Sequence, residues 1–159
     1  MSKPADQIAN LLSKSAEIYA EEIRTALAYT GEECVKRARE DHPGNWTDRT
    51  GNLRSSIGYA VYEYGKEFIR STFESVAGPT GTGSTGSAIG NEVIDSLAKE
   101  WSDTYALVVV AGMDYAEIVE DVHGRDVLAG VEAWATSIID KRLERAKRTA
   151  EKRIQRLFN

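Results

Sequence analysis

The chain has 159 residues, of which 42% are hydrophobic and 28% charged, and its formal net charge is −5. This length suits a single domain over residues 1–159, and the composition is that of a globular protein. The sequence holds no apolar run of about 18 residues and no signal-like stretch in residues 1–7, so we expect a cytosolic protein without membrane contact.

Opposite charges are separated along the chain. Residues 141–156 hold eight basic side chains against two acidic ones, a net charge of +6, which leaves −11 on the remainder. Such a basic segment suits contact with an acidic surface, on a second copy, another protein or a nucleic acid, and Arg145, Arg148 and Arg153 are candidate contact residues. A solvated helix face, favoured by the negative end of the helix dipole, accounts for the same residues equally well.

The first predicted element is a long helix from Pro4 to Glu40. Its apolar residues recur at the three-and-four spacing of one helical face, and the stretch DHPGN at residues 41–45 ends it. Gly31 weakens the helix locally and is a candidate kink. The single cysteine, Cys34, has no disulfide partner in the chain and falls on the apolar face, which predicts a buried, unreactive thiol.

A turn followed by a hairpin is predicted next. The stretch TGNLRSSI at residues 50–57 leads into an alternating segment that points Ile57, Tyr59 and Val61 to one face. Gly65 and Lys66 supply a tight turn into a second strand over residues 68–76, although residues 66–75 could instead be helical.

The remaining elements complete an α+β chain. Residues 77–91 hold five glycines and are predicted as a flexible loop within an insertion that extends to about residue 100. Asn91 can cap a short helix, the valine-rich residues 105–113 are predicted as a central strand, and Asp126 can cap a final helix. We therefore expect a small antiparallel or mixed sheet packed by a long N-terminal helix and a long C-terminal helix. The final helix is too long for so small a sheet, so part of its apolar stripe is expected to meet a second chain.

No set of side chains predicts catalysis or cofactor binding. The GTGSTGS segment lacks the lysine of a phosphate-binding loop, and Asp121, His123 and Asp126 are too few to hold a metal ion. The two histidines lack a nucleophile partner, and the tyrosines of the hairpin suit cross-strand packing better than nucleic-acid stacking. The sequence therefore predicts no enzyme, no metal site and no cofactor.

Two fragments resemble a known family. TGNLRSSI at residues 50–57 resembles the T-G-x-L-R-x-S-I signature of the neck or tail-completion (head-tail joining) proteins of tailed bacteriophages, also described as minor tail components. YAEIVE at residues 115–120 resembles the Y-A-x-x-V-E segment of the same family, and the order of predicted elements matches. The family's continuation after that segment is replaced here by DVHGRDVLAG, and the glycine-rich insertion has no counterpart.

The resemblance implies a structural virion protein, assembled in the bacterial host cytoplasm, that forms a hexameric or dodecameric ring in the neck or tail region. The implied partners are portal, adaptor and tail-tube or terminator proteins, with packaged DNA in the channel as a further contact. Within the motifs, Thr50 would cap the turn, Leu53 would anchor it on the core, and Arg54 would project outward at the edge of the sheet. Tyr115 and Glu120 would lie on a facing turn, and an ion pair between Arg54 and Glu120 is expected within or between subunits.

Two other classes stay open. The chain could be a cellular helical adaptor or regulator whose basic C-terminal helix binds an acidic partner or a nucleic acid. A hydrolase whose site the sequence does not reveal is the third class.

Overall fold

A computed structural model describes residues 3–40, 48–114 and 127–159. Within these ranges the chain forms an α+β fold of four helices and one sheet of three strands. In chain order the elements are α1 (Pro4–Glu40), α2 (Asn52–Ser55), β1 (Ile57–Glu63), β2 (Lys66–Arg70), α3 (Ser84–Leu97), β3 (Tyr105–Ala111) and α4 (Ala129–Gln155). The expected architecture, a small sheet packed by long N-terminal and C-terminal helices, is confirmed.

The two long helices run antiparallel along each other. Arg142 near the middle of α4 pairs with Glu33, whereas Arg153 near its end pairs with Glu21 and Glu22, about three turns earlier in α1. The apolar face of α4 packs along α1, and the small residues Ala146 and Ala150 on α4 are buried. α1 covers part of the stripe, while Ile138, Leu143 and Ile154 stay partly exposed, so the expectation that part of it meets a second chain stays a prediction.

The sheet has the order β2-β1-β3 and is antiparallel throughout. The hairpin turn consists of Tyr64 and Gly65, whose φ angles of 49° and 80° are both positive, as a two-residue turn of this hand requires. It therefore begins one residue earlier than predicted, and β2 ends at Arg70 rather than at residue 76.

The predicted central strand lies at an edge of the sheet. Among the described residues β3 pairs only with β1, which is the central strand. The valine-rich run arises because helices cover both faces of β3: Val108 and Val110 are buried on one side, and Leu107 and Val109 pack on the other. A continuous apolar run indicates that both faces of a strand are buried. It does not indicate that the strand has a hydrogen-bonded neighbour on each edge.

Each face of the sheet carries its own core. As predicted, Ile57, Tyr59 and Val61 share one face, where they pack with α1 and α4, while Ala60 and Tyr62 point to the other face and pack with α3. The sheet thus separates an α1/α4 layer from an α3 layer. None of the described helices is long and apolar enough to cross a membrane.

Candidate functional site

The TGNLRSSI motif, residues 50–57, forms a turn at Thr50 and Gly51, the single-turn helix α2 and the first residue of β1. Gly51 adopts a left-handed conformation with φ of 79°, and Leu53 is only 2% exposed, so it anchors the turn on the core as predicted. Thr50 is exposed, and its Oγ1 accepts a hydrogen bond from the N–H of Asn52 at 3.3 Å. The N-cap position of α2 is occupied by Gly51 and not by Thr50, which contacts the turn from one residue earlier.

Two buried serines hold the turn in place. Ser55 Oγ donates to the carbonyl of Gly51 at 2.7 Å and accepts the N–H of Val76 at 2.7 Å, so it ties the turn to the segment after β2. Ser56 Oγ donates to the carbonyl of Leu53 at 2.8 Å. Both hydroxyls are satisfied inside the protein, which makes the serines structural.

The glycine-rich segment packs directly on this turn. A Cβ at Gly83 would lie 2.2 Å from Ser55 Oγ, and a Cβ at Gly86 would lie 1.9 Å from the carbonyl oxygen of Asn52. Asn52 in turn accepts the N–H of Gly86 on its Oδ1 at 3.2 Å. The prediction of a flexible loop is wrong for residues 84–91, where α3 has already begun, because these glycines permit close backbone approach.

Arg54 is half-buried rather than projecting outward, and its Nε lies below the surface. Its backbone N–H donates to the Asp48 carboxylate at 2.9 Å. Tyr115 and Glu120 lie outside the described residues, so the expected pair between Arg54 and Glu120 stays a prediction. The same holds for Asp121, His123 and Asp126.

Part of the basic segment is neutralised within the chain. Arg142 forms an ion pair with Glu33 and donates to Thr30 Oγ1 at 3.0 Å. Arg153, a predicted contact residue, pairs with Glu22 at 2.6 Å and with Glu21 at 2.8 Å. These pairs raise the pKa of Arg153, chiefly through its hydrogen bond to Glu22. Arg153 therefore clamps α4 to α1.

Most of the other basic residues of α4 and its C-cap form one exposed face, whereas Lys147 lies on a different side of the helix. Arg145 and Arg148, the remaining predicted contact residues, lie on it. We name the basic face by its five exposed side chains, which recur four, three, four and four positions apart: Lys141, Arg145, Arg148, Lys152 and Arg156. This spacing keeps them on one side of the helix over about 22 Å. Counting the basic residues of the segment 141–156 does not distinguish this face from the two arginines that pair with α1. The helical spacing of the residues does distinguish them.

A shallow groove adjoins the basic face. It has a volume of about 360 Å³, lies between α1 and α4, and includes Tyr29 and Arg145 in its lining. Tyr29 is an exposed aromatic side chain, and the Arg142 guanidinium stands 5.0 Å from the centre of its ring.

Acidic residues dominate the opposite layer. We name the acidic side by four exposed carboxylates on and just after α3, which have only Lys99 among them: Glu92, Asp95, Glu100 and Asp103. Asp95 forms a salt bridge with Arg70 of β2, with an N–O distance of 2.5 Å. Because α3 and α4 pack on opposite faces of the sheet, the basic face and the acidic side lie on opposite layers of the molecule.

The thiol of Cys34 lies in the core, 1% exposed, as predicted. Desolvation by burial raises its pKa to about 11, so at neutral pH it is a protonated, poorly nucleophilic group. Over residues 3–40, 48–114 and 127–159, no three or more His, Cys, Asp or Glu side chains are grouped as metal ligands.

Comparison with protein-family models, curated proteins and solved structures finds no match for this chain.

Proposed function

We propose that this chain is a structural virion protein of a tailed bacteriophage, a ring-forming neck or tail-completion component that joins head to tail. The observation that carries the proposal is the separation of charge between the basic face of α4 and the acidic side around α3. The TGNLRSSI motif supports the phage assignment, because it resembles the family signature and forms the single turn, with Leu53 buried, that directly precedes β1.

Opposite charges on opposite layers suit head-to-tail assembly. When the basic face of one copy meets the acidic side of the next, each copy uses two different surfaces, and such a contact closes into a ring if the rotation between copies permits. Electrostatic complementarity of this kind guides association and rejects wrong orientations. The ring would be a hexamer or dodecamer, with portal, adaptor and tail-tube or terminator proteins above and below it.

A charge-reversal series tests this assembly. Arg145→Glu/Arg148→Glu should abolish rings seen by native mass spectrometry and negative-stain imaging, because it places carboxylates opposite carboxylates. Lys36→Glu/Lys66→Glu is the matched control, since it changes the net charge equally at exposed positions outside both surfaces.

Restoration sharpens the test. Adding Glu92→Lys/Asp103→Lys to the first double variant should restore rings, because it re-creates opposite charges across the same contact. If the Arg145→Glu/Arg148→Glu variant still forms rings, the head-to-tail contact is refuted. The contact is also refuted if the control variant loses its rings to the same extent. Imaging neck rings in intact particles tests the virion assignment itself.

A second candidate function has one specific observation in its favour. The basic face presents five exposed cations, with the exposed Glu144 and Glu151 beside Arg148, and five cations also suit the phosphate backbone of a nucleic acid. In the adaptor class, a monomer would bind duplex DNA with a slope of log affinity against log salt near −4.5, about 0.9 for each of the five cations. Fluorescence anisotropy over a series of salt concentrations would measure this slope. A DNA affinity that does not change with salt would exclude the nucleic-acid function.

A further inference from the structure

One edge of the sheet has backbone groups that no described residue pairs with. At the two ends of the ladder between β1 and β3, the Gly112 N–H donates to the Ser56 carbonyl at 3.1 Å and the Tyr64 N–H donates to the Thr104 carbonyl at 2.9 Å. Because antiparallel strands bond at every second residue, the even-numbered residues of β3 bond to β1 and the odd-numbered ones turn their N–H and C=O groups away from it. We call the odd-numbered residues of β3 the open edge: Tyr105, Leu107, Val109 and Ala111. Among the described residues, no backbone–backbone hydrogen bond reaches the open edge.

The open edge lacks the features that protect the other edge of the sheet. β2 carries the charged residues Lys66, Glu67 and Arg70, and a bulge interrupts its pairing with β1. β3 is seven residues long, pairs regularly and contains no charged residue. Charges and bulges are common means of preventing an edge strand from pairing with another chain, and a regular apolar edge without them pairs readily. β3 is therefore suited to strand addition, in which backbone hydrogen bonds hold a further strand.

The helices leave room for one more strand beside β3. α1 lies over β1, because its Gly31 is in contact with the Tyr59 ring. Packed helices stand about 8–10 Å apart, whereas paired strands stand about 4.8 Å apart. α4 lies beside α1 on the side of β3, so its axis stands about two strand widths from β1. β3 takes up the first of these widths, and no strand among the described residues takes up the second.

Two grooves lie between α4 and the open edge. The first has a volume of about 240 Å³, with Leu107 and Val109 on one side and Val131 of α4 on the other. The second has a volume of about 480 Å³, with Tyr105 on one side and Leu143 of α4 on the other. In an antiparallel fourth strand, the residues that bond to the open edge point their side chains to the same face as Leu107 and Val109, toward α4. Alternate side chains of such a strand would therefore fill both grooves.

The exposed charged side chains around the open edge are mostly acidic. Glu132 and Glu144 line the two grooves, where Lys147 is the cation among the lining residues. Asp103 and Asp114 flank β3 in the chain and are exposed. Carboxylates therefore outnumber ammonium groups around this edge, and the excess favours a partner with a net positive charge.

We propose that the open edge binds an extended segment of another protein, about seven residues long, that has apolar side chains at alternate positions and a net positive charge. The segment adds to β3 as an antiparallel fourth strand beneath α4. The same edge of a second copy does not fit, because pairing β3 with β3 would bring a second α4 into the space that α1 fills. The contact uses no residue of the basic face and shares only Asp103 with the acidic side, so it does not depend on the ring.

Two fluorescent peptides of about seven residues test the chemistry of the partner. One alternates lysine and valine, and the other alternates glutamate and valine. By fluorescence anisotropy the lysine peptide should bind at least about ten times more tightly than the glutamate peptide. Glu132→Lys should weaken its binding by about threefold or more, because it reverses a charge in the groove lining. Glu151→Lys is the matched control, since it makes the same charge change at an exposed position of α4 outside both grooves, and it should bind like the wild type.

Methylation of single backbone nitrogens in the lysine peptide tests the strand pairing. In the antiparallel arrangement the valines point toward α4, and their N–H groups bond to the open edge. Methylating the nitrogen of the central valine should therefore abolish binding. Methylating the nitrogen of a neighbouring lysine should leave binding intact, because that N–H points away from β3. Equal effects of the two changes, or the reverse order, would overturn the proposal.

Hydrogen exchange followed by NMR identifies the occupant. In the free protein the amides of Leu107 and Val109 should exchange at least about 100 times faster than those of Val108 and Val110, which bond to β1, and the lysine peptide should protect them. If the two outward amides are already protected in the free protein, another part of the same chain covers the edge. If their protection grows with protein concentration, a second copy covers it. Either result would overturn the proposal, as would a lysine peptide that does not bind at about 1 mM.

Discussion

Gly31→Ala sets helix propensity against packing. Gly31 is interior to α1, where alanine would ordinarily favour the helix by about 1 kcal/mol. A Cβ at this position, however, would lie 2.4, 2.6 and 2.8 Å from three carbons of the Tyr59 ring, closer than real Cβ contacts come. The helix runs unbroken through Gly31, so the glycine makes room for the ring without breaking α1.

Tyr59 cannot move aside easily. Its ring is 1% exposed in the core between α1 and the sheet, and its hydroxyl donates to Glu32 Oε1 at 2.8 Å. Overpacking a well-filled core costs typically about 1–3 kcal/mol, and this contact belongs at the upper end of that range. After the helical gain of about 1 kcal/mol, we expect a net loss of about 2 kcal/mol, or a fall in Tm of about 4–8 °C.

Urea unfolding of a double-mutant cycle separates the two effects. In a Tyr59→Leu background the ring is absent, so Gly31→Ala should become neutral or stabilising by up to about 1 kcal/mol. Gly31→Ala that raised the unfolding free energy of the wild type would refute the reasoning. So would an equal loss in both backgrounds, because the ring could then not be its cause.

Three further predictions concern the core and the turn. Leu53→Ala should lower the unfolding free energy by about 2–5 kcal/mol in chemical denaturation, since it empties a fully buried site. Gly86→Ala should destabilise by at least about 1 kcal/mol, because its Cβ would meet the Asn52 backbone, while the exposed Thr85→Ala should stay within about 0.5 kcal/mol of the wild type. Burial raises the pKa of Cys34 from 9.0 to about 11, so the unfolded chain loses this proton first and stability falls as pH rises from 9 to 11. Relative to Cys34→Ala, the wild type should lose stability between about pH 9 and about pH 11, and an identical pH dependence of the two would contradict this.

The local elements could be predicted because their signals are local. The apolar spacing of α1 predicts its ends at Pro4 and Glu40, and the alternation after Ile57 predicts which side chains share a face of β1. The glycine-rich residues were misread, since the absence of a side chain can serve either backbone freedom or close packing. Only the position of Asn52 and Ser55 beside Gly83 and Gly86 decides between them.

The sequence by itself determined which segments are helices and strands and which of their faces are apolar, because periodicity follows from backbone geometry. Only the tertiary structure decided what packs on each face: α1 packs along α4, and helices on both sides account for the valines of β3. It also decided which arginines are clamped inside the molecule and which form the basic face, since that depends on where the carboxylates of α1 lie. A periodic pattern states that a surface is buried, but the identity of its partner depends on contacts between residues far apart in the chain.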